Sequence, residues 1–230
     1  MSIIAEKTTQ VVSEINQACQ ATGRHPSEVA LLAVSKTRSA DEVREAFQQG
    51  LIRFGENYLQ EALDKIQALA DLPLEWHFIG PVQSNKTRQI AESFDWVHSV
   101  DRLKIARRLS EQRPTELADL NICLQVNIDD ESSKSGCSPN EALDLAREIA
   151  ALPHLNLRGL MAIPAPTDDA AAQRLAFAKV RALAERIRAS GIAMDTLSMG
   201  MSGDLAAAIA EGSTMVRIGT ALFGPRVAKG

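Results

Sequence analysis

Short apolar segments alternate with longer amphipathic segments along most of the chain. The segments with helical spacing, among them SADEVREAFQQG, ENYLQEALDKIQALA and SPNEALDLAREIAA, repeat apolar residues at three- and four-residue steps. The short segments have the length and composition of buried strands. They are ALLAVS (30–35), IRFG (52–55), LEWHFIG (74–80), DWVHSV (95–100), NICLQVNI (121–128), LRGLMAI (157–163), DTLSMG (195–200) and MVRIG (215–219).

This alternation predicts parallel strands joined by right-handed crossovers. Eight such units in 230 residues predict an α/β fold with a (β/α)₈ TIM barrel. A doubly wound open sheet is the alternative, but that fold usually has fewer strands, and no G-x-G-x-x-G motif follows the first strand. A helix is expected before the barrel, where apolar residues recur at helical spacing at Ile4, Val11, Val12, Ile15 and Cys19.

Composition and charge exclude several classes of protein. No linker rich in Pro, Gly or Ser divides the chain, so we expect residues 1–230 to form a single domain. A net charge of −4 gives no global attraction for nucleic acid. The N-terminus lacks the features of a signal peptide, and no segment is long and apolar enough to span a membrane, so we expect a cytoplasmic protein. Three cysteines without C-x-x-C spacing argue against a disulfide framework and against a zinc site.

The first predicted strand ends in a lysine, Lys36, within LLAVSKT. The C-terminal ends of barrel strands carry the functional residues of this fold. Lys36 can be a solvated lysine at the barrel rim, which is the usual environment of this residue type. It can also be an amine in a partly desolvated pocket that forms a Schiff base with a carbonyl group. The lysine alone does not decide between the two.

The loops after strands seven and eight have the features of a phosphate site. In SMGMSGDLAAAIAEG, Gly200 permits a tight turn, Ser202 can cap the helix that follows, and Gly203 lets the backbone approach a ligand. The free N–H groups at the start of that helix form an anion site. Gly219 and Thr220 supply another open N–H and a hydroxyl. Each feature has an ordinary structural interpretation as a cap or a turn, but together with Lys36 they predict a ligand that carries a phosphate and an aldehyde.

Four further polar residues each have an ordinary structural interpretation, and for three of them the alternative is a role in the site. Arg217 is either a rim arginine paired with a carboxylate or a donor to a heterocyclic nitrogen of the ligand, which would remain unprotonated. Asn57 is either a helix N-cap or a polar contact to the ligand. His77 is more often a hydrogen-bonded core histidine than a base, and Lys134 lies in a polar loop where solvation is the default.

Seven segments of this chain, from about residue 5 to residue 225, occur together in one protein family. The segments LLAVSKT, FGENYLQE, WHFIGPVQSNK, DDESSKSG, LRGLMAIP, LSMGMSGDLAAAI and STMVRIGTALFG resemble the pyridoxal phosphate homeostasis protein family. That resemblance implies a barrel like the N-terminal barrel of alanine racemase (fold type III), with pyridoxal 5′-phosphate as the cofactor. It implies a Schiff base at Lys36, phosphate contacts from Met201, Ser202, Gly203, Gly219 and Thr220, Arg217 facing the pyridine nitrogen, and Asn57 lining the ring.

The resemblance also implies a function without an established catalytic reaction. Family members are carriers or regulators of pyridoxal phosphate, with apo-enzymes as recipients, and several are monomeric. Alanine racemases add a β-domain and use a tyrosine from the partner subunit as the second base, whereas this chain ends soon after strand eight and has one tyrosine, Tyr58. The alternatives are a weakly active pyridoxal phosphate-dependent racemase and a cofactor-free aldolase that acts on a sugar phosphate.

Overall fold

The computed structural model describes residues 2–129 and 135–225, so Lys134 lies outside the described residues. Eight parallel strands close into a barrel in sequence order, which confirms the predicted fold class. The strands are β1 (Ala30–Val34), β2 (Arg53–Glu56), β3 (Glu75–Phe78), β4 (Trp96–Val100), β5 (Leu120–Gln125), β6 (Leu155–Met161), β7 (Thr196–Ser198) and β8 (Met215–Ile218). Each one overlaps a segment predicted as a strand.

Helices surround the barrel, and one of them precedes it. They are α1 (Ile3–Ala21), α2 (Ala40–Gln48), α3 (Leu59–Ala68), α4 (Thr87–Ser93), α5 (Leu103–Gln112), α6 (Ala142–Ala150), α7 (Ala170–Ala189), α8 (Leu205–Ala210) and α9 (Thr220–Phe223). The predicted N-terminal helix is confirmed, although Val12 points outward with 40% of its surface exposed. No helix within the two described ranges is long and apolar enough to cross a membrane.

The main apolar core lies between the barrel and its surrounding helices. The aromatic residues Phe54, Phe94 and Phe177 are almost completely buried there, together with many aliphatic side chains. Alternate strand residues point the other way, into the barrel. Barrel interiors are usually filled by branched aliphatic side chains. This interior instead contains polar groups, including His77, His98 and Arg217.

Candidate functional site

A cavity of about 340 Å³ opens at the C-terminal ends of the strands. This is the end of the barrel where the fold carries function, and the volume is in the range of small-molecule sites. All eight residues predicted to contact the cofactor line it. The complete lining consists of Val34, Lys36, Asn57, Ile79, Met161, Ile163, Met201, Ser202, Gly203, Arg217, Gly219 and Thr220. The sequence prediction therefore located one shared cavity, while the role of each residue in it stays a prediction.

Lys36 reaches the cavity from a tight turn that follows β1. Its side chain is half-buried. The next residue, Thr37, has a φ of 63°, in the left-handed region that residues with a β-carbon rarely adopt. The turn is closed by the Arg38 N–H, which donates to the Ser35 carbonyl oxygen over 3.0 Å. Such a conformation persists only where the surrounding structure holds it in place.

A buried ionic cluster holds the two residues that flank this lysine. The Lys65 ammonium donates to the Ser35 carbonyl, to Glu56 Oε1 and to Glu61 Oε1, each over 2.7 Å. The Ser35 hydroxyl donates to the same Glu56 oxygen, and the Thr37 N–H donates to Glu61. Burial raises the pKa of Glu56, and the nearby Lys65 opposes that rise. The cluster therefore fixes the turn through residues that do not themselves line the cavity.

This cluster was not among the features predicted from the sequence. Glu61 and Lys65 are spaced as an ordinary helical i,i+4 pair, which is usually solvent-exposed. The informative residue is Glu56, a carboxylate at the end of a buried strand that is 0% exposed. A charge in that position requires a partner, and this requirement was the available signal.

The loop after β7 turns sharply at Gly200. Its φ is 100°, and a β-carbon there would lie 2.6 Å from the Ala208 β-carbon. Ser202 does not cap the next helix, so that prediction is wrong. Asp204 is at the N-cap position, and its Oδ1 accepts instead from the Met201 N–H over 2.6 Å. The Ser202 hydroxyl is therefore not used by the helix and is available at the cavity.

Several donors at this end of the cavity are not used within the described chain. The backbone N–H groups of Ser202, Gly203 and Thr220 donate to no other described residue. A β-carbon on Gly203 would meet nothing within 4 Å, so the packing of the chain does not require glycine there. Three N–H groups and two hydroxyls beside one cavity suit an anion with several oxygen atoms.

Arg217 extends from β8 into the barrel and is 4% exposed. Its Nη1 donates to the Ser198 carbonyl over 2.6 Å and to the Ser198 hydroxyl over 2.8 Å, and its Nη2 donates to the Ala162 carbonyl over 3.0 Å. No carboxylate forms an ion pair with it among the described residues, so the interpretation as a paired rim arginine is wrong. Burial lowers the pKa of Arg217 to about 10, which leaves the group charged at neutral pH.

Asn57 is not the N-cap of α3. The helix begins at Leu59, and Tyr58 occupies the N-cap position. The Asn57 Oδ1 atom is buried and has no hydrogen-bond partner among the described residues. A buried acceptor without a partner is costly, so its position in the cavity wall suits a polar group on a ligand.

His77 is a hydrogen-bonded core histidine, as the sequence indicated. It is fully buried and contacts Glu75 and His98. His98, in turn, contacts Ser198, one of the residues that hold Arg217. Local sequence does not reveal this contact of His98, because it does not show which strands meet across the interior.

The residues that line the cavity fit pyridoxal phosphate in chemical type. A primary amine suits an aldehyde, unused N–H and hydroxyl donors suit a phosphate, and a charged guanidinium suits the lone pair of a ring nitrogen. The partnerless Asn57 oxygen adds an acceptor beside them.

Comparison with known sequences gives a consistent result. Residues 11–227 match the family model "Alanine racemase, N-terminal domain". A protein of Pseudomonas aeruginosa named pyridoxal phosphate homeostasis protein is 63% identical over 226 residues, covering 98% of this chain and 97% of that protein. A protein of Escherichia coli K12 with the same name is 52% identical over 229 residues, covering 98% of each.

Solved structures agree with the fold. The structure of PipY from Synechococcus elongatus with pyridoxal phosphate bound is 37% identical, with a TM-score of 0.84, and the match covers 96% of this chain and 100% of PipY. Alanine racemase from Corynebacterium glutamicum is 18% identical with a TM-score of 0.73, covering 98% of this chain and 62% of the racemase. The racemase therefore shares the barrel and extends beyond it.

Proposed function

Because the chain belongs to the pyridoxal phosphate homeostasis protein family, we propose that it binds pyridoxal 5′-phosphate at the C-terminal end of the barrel and acts in the homeostasis of that cofactor without catalytic turnover. One observation carries the proposal. The cavity that Lys36 lines also contains the unused donors of Ser202, Gly203 and Thr220. A small ligand that carries both an aldehyde and a phosphate can contact the Lys36 amine and these donors at the same time.

In the bound state, the Lys36 amine joins the cofactor as a Schiff base. The amine nitrogen adds to the aldehyde carbon, and the carbonyl oxygen leaves as water when the carbon–nitrogen double bond forms. Water reverses the reaction, so the cofactor is released without a further reagent. Reversible attachment suits a protein that stores the cofactor and passes it on.

The remaining residues of the cavity orient the cofactor. The N–H groups and hydroxyls of Ser202 and Thr220, with the Gly203 N–H, bind the phosphate through charge-assisted hydrogen bonds. Met201 and Gly219 border the phosphate. Arg217 faces the pyridine nitrogen and donates to it. Asn57 lines the ring, and its partnerless oxygen gains a polar neighbour when the cavity is filled.

Two features support the absence of efficient turnover. An arginine beside the ring nitrogen disfavours protonation of that nitrogen, which limits the ring as an electron sink. Two-base racemisation also needs a second base, and the single tyrosine of the chain, Tyr58, is 54% exposed and lines a neighbouring cavity instead. A weakly active racemase is the second candidate, supported by the shared barrel.

The proposal extends to the organisation of the protein. Residues 1–230 form one cofactor-binding domain that acts as a cytoplasmic monomer, and apo-enzymes that need pyridoxal phosphate are the recipients. The 97–98% coverage of the compared homeostasis proteins supports a unit of this size.

An absorption spectrum tests the function. Protein incubated with pyridoxal phosphate and then dialysed should retain a visible band that sodium borohydride removes. The loaded protein should then activate a pyridoxal phosphate-dependent apo-enzyme. A protein that stays colourless after incubation contradicts the proposal. If that protein can still be trapped by borohydride with a sugar phosphate, the aldolase alternative is correct.

A further inference from the structure

A continuous chain of hydrogen bonds runs through the barrel interior from β3 to the cavity arginine. Glu75 Oε1 lies 2.8 Å from His77 Nε2, and His77 Nδ1 lies 2.8 Å from His98 Nε2. His98 Nδ1 lies 2.8 Å from the Ser198 hydroxyl, which lies 2.8 Å from Arg217 Nη1. The chain therefore links a partly exposed carboxylate to a residue of the cofactor cavity through side chains of strands β3, β4, β7 and β8.

The chemistry of the groups sets the direction of every bond. An ionised carboxylate only accepts, so His77 Nε2 carries a proton and donates the hydrogen bond to Glu75. A neutral His77 then accepts at Nδ1, which requires the proton of His98 to be on Nε2. His98 consequently accepts at Nδ1 from the Ser198 hydroxyl. Since arginine only donates, the Ser198 oxygen accepts from Arg217, and every hydrogen bond points from Arg217 toward Glu75.

The surroundings keep both imidazoles neutral. Burial lowers the pKa of His98 well below its usual value, and the neighbouring His77 and Arg217 lower it further. Burial also lowers the pKa of His77, although Glu75 and Asp95 oppose this effect, while Arg53 adds to it. The hydrogen bond from His77 lowers the pKa of Glu75, which keeps the carboxylate ionised.

The hydrogen bonds of Arg217 leave part of its guanidinium available to the cavity. Its three acceptors, the Ser198 carbonyl, the Ser198 hydroxyl and the Ala162 carbonyl, are all neutral. These three hydrogen bonds leave the Arg217 Nε–H and one Arg217 Nη2–H without a partner in the described chain. The Ser198 lone pair faces Arg217 because the proton of that hydroxyl is directed to His98.

We propose that Glu75, His77, His98 and Ser198 form a directed relay that orients the Arg217 guanidinium toward the cofactor, so that His98 and Glu75 are positioning residues remote from the ligand. The role of the relay in cofactor binding rests on the proposed function, but its hydrogen bonds are present in the cofactor-free protein. Glu75 acts through three intermediate side chains, so a change at Glu75 should be detectable both at His98 and in the cavity.

The first test uses cofactor-free protein labelled with ¹⁵N. Nuclear magnetic resonance of the histidine side chains, assigned with His77→Gln and His98→Gln variants, reports which ring nitrogen of each histidine is protonated. His77 and His98 should both be neutral with the proton on Nε2, with no change between about pH 6 and pH 8, a range that spans the ordinary histidine pKa of about 6.5. A proton on Nδ1 of either ring, or titration of either ring in that range, overturns the relay whether or not the protein binds the cofactor.

The second test compares Glu75→Leu with Arg53→Leu. Arg53 also contacts Glu75, over 3.2 Å, but it is outside the chain of hydrogen bonds, so its loss is the matched control. Both side chains are partly exposed, and both variants should fold. Glu75→Leu removes the acceptor of the His77 Nε2–H, whereas glutamine would still offer an oxygen that accepts it. Glu75→Leu should therefore shift His77 and His98 away from the Nε2–H form and weaken pyridoxal phosphate binding about tenfold, the lower end of what outer partners contribute at metal sites. Arg53→Leu leaves the Glu75 acceptor in place, so the proton should stay on Nε2 of both rings near pH 7 and binding should be unchanged. Unchanged histidine spectra or unchanged binding in Glu75→Leu overturns the positioning role.

Discussion

Replacing Lys65 with methionine removes the cation at the centre of the buried ionic cluster. Lys65 is 5% exposed, and its partner Glu56 is 0% exposed. Breaking a buried pair on one side typically costs about 3–5 kcal/mol, because the remaining charge is buried without compensation. Glu61 is 27% exposed and can regain water, so most of the cost arises at Glu56.

Protonation of Glu56 limits that cost. Neutralising a carboxyl group of ordinary pKa, about 4.3, requires about 3.7 kcal/mol at pH 7. We therefore expect Lys65→Met to lower the free energy of unfolding by about 3–4 kcal/mol at pH 7. For a domain of this size, that corresponds to a fall in Tm of roughly 6–16 °C.

The penalty should also depend on pH. Burial already raises the pKa of Glu56 in the native protein, and Lys65 is the main group that opposes the rise. Without Lys65 the pKa rises further, so the folded state holds a proton that the unfolded state has released. Stability of the variant relative to the native protein is then lost as pH increases and regained as pH falls. Between pH 7 and pH 5 the penalty should shrink, by at most about 2.7 kcal/mol.

Urea denaturation at pH 5, 6, 7 and 8 measures these differences. Lys179→Met, on an exposed position of α7, is the matched control and should change stability by less than about 0.5 kcal/mol at every pH. If Lys65→Met costs no more than this control at pH 7, or if its penalty grows as the pH is lowered, Lys65 does not compensate a buried Glu56 charge.

Three further outcomes are expected. Ser202→Ala combined with Thr220→Ala should weaken pyridoxal phosphate binding at least about tenfold in a titration, because a hydrogen bond to a charged group contributes about 1.5–3 kcal/mol. Pyridoxal, which lacks the phosphate, should bind as before. An equal loss for both ligands contradicts the phosphate assignment. Turnover of alanine, followed by chiral chromatography, should stay below about 1 s⁻¹, and a value in the usual enzyme range contradicts a non-catalytic role. Gly200→Ala should lower the free energy of unfolding by more than about 1 kcal/mol, whereas Gly203→Ala should not. Equal stability of the two variants in urea denaturation contradicts a steric requirement for glycine at position 200.

Periodicity was sufficient to predict the barrel. The alternation of strands and helices depends on local spacing, and each predicted strand is present with its ends shifted by at most a few residues. The rule that barrel function lies at strand ends also brought Lys36, Arg217 and Thr220 into one cavity.

Predictions failed where two neighbouring groups compete for one role. Ser202 was expected to cap a helix, but the Asp204 carboxylate is at the N-cap and accepts the Met201 N–H. Asn57 was expected to be either a cap or a ligand contact, and the start of α3 at Leu59 decided against the cap. Such choices differ by only about 1 kcal/mol, which local sequence does not resolve.

Contacts across the barrel interior could not be predicted from the sequence, for a different reason. The bond between His98 and Ser198 joins residues that are 100 positions apart. It depends on which side chains face the interior at the same height, and therefore on the register of the closed sheet. No local pattern in the sequence contains that information.

The site of borohydride trapping shows whether the cofactor is attached to Lys36. Protein loaded with pyridoxal phosphate is reduced, digested and analysed by mass spectrometry, with Lys36→Ala as the test variant and Lys86→Ala, in the neighbouring cavity, as the control. We expect the phosphopyridoxyl group on Lys36 in the native protein and in Lys86→Ala, and its loss in a folded Lys36→Ala variant. Labelling of another lysine in the native protein, or labelling of Lys36→Ala to the native extent, would contradict the account.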